Sequence, residues 1–133
     1  MNTDPLADMF TRIRNAYVRQ HEKVLVPASQ FKANVLKVLK EEGYIKDYKI
    51  VTVDKKKSGL ITVYLKYDSE GNSIISKLKR VSKPGCRVYH RVENFKKVLD
   101  GLGTAIISTH KGIMSDKECR KLKLGGEVLC YIW

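Results

Sequence analysis

The chain has 133 residues, 43% of them hydrophobic and 30% charged: enough apolar material for one ordinary domain or two very small ones, and too much for a disordered or collagen-like chain. Lys and Arg number 26 against 14 Asp and Glu, a formal +12 with a pI near 9.7, so polyanions are the expected partners. The absence of any apolar run of about 18 residues predicts no membrane span, and three cysteines, Cys86, Cys119 and Cys130, never in Cys-x-x-Cys spacing, support neither a disulfide framework nor a zinc knuckle and suit a reducing compartment.

In chain order, Asp4 followed by Pro5 reads as a helix N-cap with proline at the first helical position, and Leu6, Met9, Ile13 and Tyr17 then mark one face of a helix ending near Arg19. Lys23 to Pro27 reads as a short strand. Ser29 can cap a second helix, with Phe31, Val35, Val38 and Leu39 as its inner stripe and an end near Glu42. Ile45 to Val53 and Leu60 to Tyr67 are β-branched and aromatic, and the polar Asp54–Gly59 between them predicts a hairpin turn. Asp68 to Asn72 is the most polar glycine-bearing break in mid-chain, which places a boundary there: residues 1–67 form one domain and 68–133 another. Each half holds 13 basic and 7 acidic residues, so the charge belongs to folded surface throughout and not to a tail. Beyond the boundary, strands are expected around Ile74–Val81, Cys86–Tyr89, Gly103–Ser108 and Glu127–Ile132. Ser115 with Glu118 forms a capping box for one helix to Leu122, with Gly125 past its end. The fold class is therefore α/β of the α+β kind, in two small domains: α-β-α-β-β first, then a β-rich half with one short helix.

The densest basic segment runs from Lys77 to Lys97, where Lys77, Lys79, Arg80, Lys83, Arg87, Arg91, Lys96 and Lys97 oppose only Glu93. Tyr89 and His90 lie among these cations, and planar rings beside arginine suit stacking on unpaired bases, so nucleic-acid contact outweighs a merely solvated charge run. Ser108-Thr109-His110-Lys111-Gly112 is expected to be a loop between a strand and a helix cap, presenting two hydroxyls, an imidazole and an ammonium suited to a ribose 2′-OH or a base edge. By itself such a string is as readily an ordinary turn. Gly101-Leu-Gly-Thr-Ala-Ile106 starts like a dinucleotide fingerprint but has Ile106 in place of the third glycine, and no Walker or zinc-protease string occurs. Cys130 reads as strand packing. Cys119 beside His110 lacks any nucleophile motif, and Asp116 with Glu118 reads as helix N-terminal charge. No catalytic residue, metal or cofactor is expected.

Five strings carry a resemblance across the whole chain: Asp4-Pro-Leu-Ala-Asp-Met-Phe-Thr-Arg-Ile-Arg-Asn-Ala16, Val26-Pro-Ala-Ser29, Lys83-Pro-Gly-Cys-Arg-Val-Tyr89, Ile107-Ser-Thr-His-Lys-Gly-Ile-Met-Ser-Asp116 and Gly125-Gly-Glu-Val-Leu-Cys-Tyr-Ile-Trp133. On these the chain resembles the bacterial-type branch of the small-subunit ribosomal protein family numbered eight. The resemblance implies a protein that binds an irregular internal helix in the central domain of small-subunit ribosomal RNA early in assembly, mostly through its carboxyl-terminal half. It also implies neighbouring ribosomal proteins as partners and a cytoplasmic place in the ribosome, or a plastid one in a plant. It further implies a monomer outside the ribosome and, as in some bacteria, repression of its own operon message.

Carried over residue by residue, the family's Ser-Thr-Ser-x-Gly loop falls on Ser108, Thr109, His110, Lys111 and Gly112. Position 110 departs from the usual serine; His110 can still donate one hydrogen bond but is bulkier. The Arg-Val-Tyr element falls on Arg87 to Tyr89 beside Lys83, and a Gly-Gly-Glu turn on Gly125, Gly126 and Glu127. Charge and helix spacing add a second RNA surface on the first half: Arg12, Arg14 and Asn15, with Lys32 and Lys57, near the Asp4-Pro5 start. The competing readings are a nucleoid-type DNA-binding protein, which the same +12 would serve, and an RNA-modifying enzyme, which would need a metal cluster or an activated nucleophile.

Overall fold

Asp4 starts the first helix by accepting a hydrogen bond on its carboxylate from the Ala7 amide (3.2 Å), with Pro5 at the first helical position, where its missing N–H costs nothing. The helix, α1 (Pro5–Val18), buries Leu6, Met9, Phe10, Ile13, Ala16 and Tyr17, the expected stripe with two additions. It is followed by β1 (Lys23–Pro27), α2 (Gln30–Glu41), β2 (Ile45–Val51) and β3 (Leu60–Leu65). Ser29 caps α2 by accepting from the Lys32 amide at 3.1 Å. The computed structural model describes residues 4–51 and 59–133, so the predicted Asp54–Gly59 turn, Gly59 apart, falls outside the described residues, as does Lys57.

The three strands form an antiparallel sheet in the order β1-β3-β2, with Val26, Ile61 and Ile50 in one cross-strand row and Val24, Val63 and Tyr48 in the next. Helix α1 lies against β1 and α2 against β2. Helix α2 is turned differently from expectation. Its buried residues are Lys32, Ala33, Val35, Leu36, Val38 and Leu39, a stripe centred on the 32-36-39 line, so Phe31 sits on the flank and is 41% exposed. The polar break at 68–72 closes on itself: the Asp68 amide donates to the Asn72 carbonyl (2.9 Å), Gly71 adopts φ +83°, and Tyr67 bridges to Ser73. The chain divides into two compact units after this turn, Asp4–Ile74 and Ile75–Trp133.

The second unit is an antiparallel sheet with the path β4 (Leu78–Arg80), β8 (Gly126–Ile132), β6 (Thr104–Thr109), β7 (Gly112–Ser115); β5 (Tyr89–His90) pairs with the start of β8. Strands β4 and β5 are shorter than the sequence suggests, and β7 was not expected at all. Its four residues pair with β6 across a two-residue turn, so the segment read as a loop is a hairpin tip. Helix α3 (Asp116–Leu122) is capped by Ser115, whose hydroxyl accepts from the Glu118 amide. The left-handed residue closing α3 is Lys123 (φ +56°), not a glycine. Ala105, Ile107, Val128, Cys119, Phe95 and Val98 make the core cluster beneath one face of the sheet.

Candidate nucleic-acid interface

The hairpin turns the Ser108–Gly112 string into a paired, hydrogen-bonded tip. Ser108 and Thr109 are the last residues of β6, His110 and Lys111 make the exposed turn, and Gly112 opens β7 at φ +122°, a conformation glycine adopts without strain. The Thr109 hydroxyl donates to the Gly112 carbonyl (2.8 Å) and accepts from the Lys111 amide (3.1 Å), holding the turn in shape. Ser108 is half-buried and lies opposite both Glu127 on β8 and Ile113 on β7.

The pairing extends this row. Tyr89 on β5 also lies opposite Glu127, so Tyr89, Glu127 and Ser108 share one face of the sheet in consecutive strands. Tyr89 is 67% exposed, leaving an aromatic face open at the end of the row. Two glycines permit the close approach of the strands. A Cβ on Gly126 would stand 2.2 Å from the Ser108 carbonyl oxygen, and one on Gly125 would stand 2.7 Å from the His90 carbonyl oxygen. The expected Gly-Gly-Glu turn is thus corrected: Gly126 and Glu127 begin β8, and the glycines are required by packing between backbones.

Lys83 opens a tight turn over Pro84 and Gly85, closed by hydrogen bonds in both directions between the Lys83 and Cys86 backbones (3.1 and 2.9 Å). Arg87 lies just beyond it and donates from Nη1 to Glu127 Oε2 at 3.0 Å, with about half its side chain exposed. Ser82, fully buried, was missed by the sequence reading; its hydroxyl donates to the same Glu127 oxygen and accepts from the Val88 amide at 3.2 Å. Nothing in its immediate sequence could have flagged it, because its partner is 45 residues away and depends on how the segment after β4 runs beside β8. All eleven residues expected at the main site lie on the second unit, grouped by β5, β8, β6 and β7 and the turn leading into them.

The second surface is only partly assembled. Arg14 and Asn15 are exposed on α1, and Arg12 is ion-paired with Asp8 one helical turn back (3.0 Å). Arg12 and Asn15 line a shallow groove with Arg19, His21 and Val24, bringing in two basic side chains the sequence reading did not include. Asp4 and Pro5 are occupied in starting the helix. Lys32 is removed from this surface: it is 5% exposed, its ammonium donates to the Pro27 carbonyl at 3.1 Å, and burial lowers its pKa.

Burial pushes the Cys130 thiol up to about 12 and the Cys119 thiol up to about 11, so neither supplies a thiolate near neutrality. Among the described residues no three His, Cys, Asp or Glu side chains are grouped to hold a metal ion, and no helix is long and apolar enough to cross a membrane.

Comparison with known proteins gives one consistent result. The family model described as ribosomal protein S8 matches residues 4–133. Small ribosomal subunit protein uS8 of Thermodesulfovibrio yellowstonii is 55% identical over 133 residues, the full length of both chains. The proteins of the same name from Halothermothrix orenii and Streptococcus pneumoniae are 53% and 52% identical, each over 98% of this chain and 98% of the relative.

Proposed function

The chain belongs to the ribosomal protein S8 family, and from that premise we propose that it recognises an irregular internal helix in the central domain of small-subunit ribosomal RNA through the β5-β8-β6-β7 face of its second unit. Membership makes it a structural protein of the small ribosomal subunit and not an enzyme; its place is the ribosome, and its partners are ribosomal RNA and other ribosomal proteins.

The observation that carries the finer reading is the cross-strand row of Tyr89, Glu127 and Ser108, with Thr109 and the Lys111 turn at one end and Arg87 and Lys83 at the other. The RNA minor groove is wide and shallow and displays 2′-hydroxyls, so it admits short hydroxyl side chains and backbone on a flat strand edge. Ser108 and Thr109 are such groups. Tyr89 offers a ring to an unstacked base at a bulge, and the cations at the rim take phosphates. His110, at the tip of the turn, projects an imidazole where the family's serine would stand. On the first unit, Asn15 and Arg19 in the shallow groove and the exposed Arg14 on the same helix serve as accessory phosphate contacts. Binding early, as a monomer, would let the protein fix the bulged helix before neighbouring proteins arrive, and a message folded into the same shape would compete for the same face and be repressed.

The test is binding of the purified protein to a bulged fragment of the central-domain helix and to a regular RNA duplex of equal length. We expect a preference of about a thousandfold or more for the fragment at physiological salt, and we expect Ser108→Ala with Thr109→Ala to remove most of it. Equal affinity for the two RNAs would leave only charge at work and end the proposal. A reporter fused to the operon message's leader should be repressed by the wild type and not by the double variant.

A further inference from the structure

Glu127 places a carboxylate in the middle of a face read above as binding a polyanion, where its charge opposes phosphates. Its surroundings explain why it can stand there. The side chain is only 15% exposed, and its Oε2 accepts from both the Ser82 hydroxyl and Arg87 Nη1 (3.0 Å). Ser82 is fully buried and uses its hydroxyl twice, donating to Glu127 and accepting from the Val88 amide. Val88 in turn accepts through its carbonyl from the Val128 amide (2.9 Å), one residue beyond Glu127. Both ends of the segment from Ser82 to Val88, which contains the Lys83-Pro84-Gly85-Cys86 turn, are therefore tied to the start of β8.

We infer that Glu127 is a positioning residue for RNA binding: it acts through Ser82 and Arg87, latching the 82–88 segment to β8 so that the Arg87 guanidinium and the Tyr89 ring are held in place beside Ser108. The inference rests on the RNA-binding reading above. Glu127 does not meet the RNA. Its charge is compensated by Arg87, whose outward half remains free to face a phosphate, and the latch reduces the freedom that Arg87 would otherwise lose on binding. Among the site residues expected from sequence, Glu127 thereby changes role from contact to support.

The latch makes a prediction opposite in sign to simple electrostatics. Glu127→Gln removes one negative charge from a protein that binds a polyanion, which by itself tightens binding to any RNA. The latch requires the opposite for the bulged fragment: weakening by about three- to tenfold, because a neutral amide holds the guanidinium less firmly, while affinity for the regular duplex is unchanged or higher. In an Arg87→Ala background Glu127→Gln should cost less than in the wild type, since only the Ser82 arm of the latch is left for it to act through. Ser82→Ala, a smaller change that keeps the ion pair, should also weaken fragment binding selectively, and thermal unfolding of each variant separates this from loss of fold. Tighter binding of both RNAs by Glu127→Gln would overturn the latch, as would the same loss in wild-type and Arg87→Ala backgrounds, which would mark a direct contact. A wild type that does not distinguish the two RNAs would end the RNA-recognition reading itself, whereas discrimination by the wild type with either of those results ends the latch alone.

Discussion

Asp68 shows how one side chain can organise a turn and set a pH limit. Its Oδ1 accepts from the Asn72 amide (2.8 Å) and the Glu70 amide (2.9 Å), and these bonds to the charged form, led by that from Asn72, hold its pKa below the usual carboxylate range. A carboxylate whose pKa is depressed by folding stabilises the protein fully above its unfolded pKa and loses that contribution as pH falls through the folded one. The loss should therefore begin below about pH 4 and grow as the pH drops. Asp68→Asn is expected to flatten the acid limb of stability against pH, measured by urea unfolding between about pH 2 and 5; an unchanged limb would show that the turn is indifferent to the charge. Lys32 is the opposite lesson at this scale. A lysine one turn into a helix reads as surface, yet its amine is folded back on the Pro27 carbonyl and its stem lies in the apolar stripe.

At the level of elements, the face proposed to bind RNA depends on how closely β8 approaches its neighbours. Gly126 lies opposite His90 on β5, and its missing side chain leaves room for the Ser108 carbonyl of β6. Gly126→Ala would put a methyl 2.2 Å from that oxygen, in backbone that cannot yield as a flexible side chain would. We expect a cost of about 3 kcal/mol or more in the second unit, at the upper end for overpacked sites. Loss of selective RNA binding should accompany it, because the row of Ser108, Glu127 and Tyr89 is spread apart. Thermal unfolding and fragment binding check the two together. Gly125 is constrained in the same way by His90 and Arg91, so the pair is conditioned by sheet geometry and not by a turn.

For the molecule as a whole, the +12 is shared by both units but unevenly: 13 basic and 9 acidic residues lie up to Ile74, and 13 basic and 5 acidic from Ile75 on. Charge spread this way gives every RNA some affinity and makes that affinity salt-dependent. If about six to ten phosphates are neutralised, binding should weaken on the order of a thousandfold or more between about 50 and 200 mM salt. Replacing Arg14, Asn15 and Arg19 together should make the slope shallower while preserving the preference for the bulged fragment, since phosphates position but do not specify. An unchanged slope would remove the first unit from the RNA surface. Much of this organisation was legible in the sequence because it is local: caps at Asp4, Ser29 and Ser115, helical stripes, β-branched runs and the polar break at 68–72 each act within a few residues. The five family strings carried the RNA-binding reading. What only the tertiary structure decided was long-range: β7 as a strand, Phe31 turned outward and Lys32 inward, and the buried Ser82 joined to Glu127 across 45 residues. The reason is physical, since strand register and helix rotation are settled by which faces bury together, and no window of neighbouring residues contains that choice.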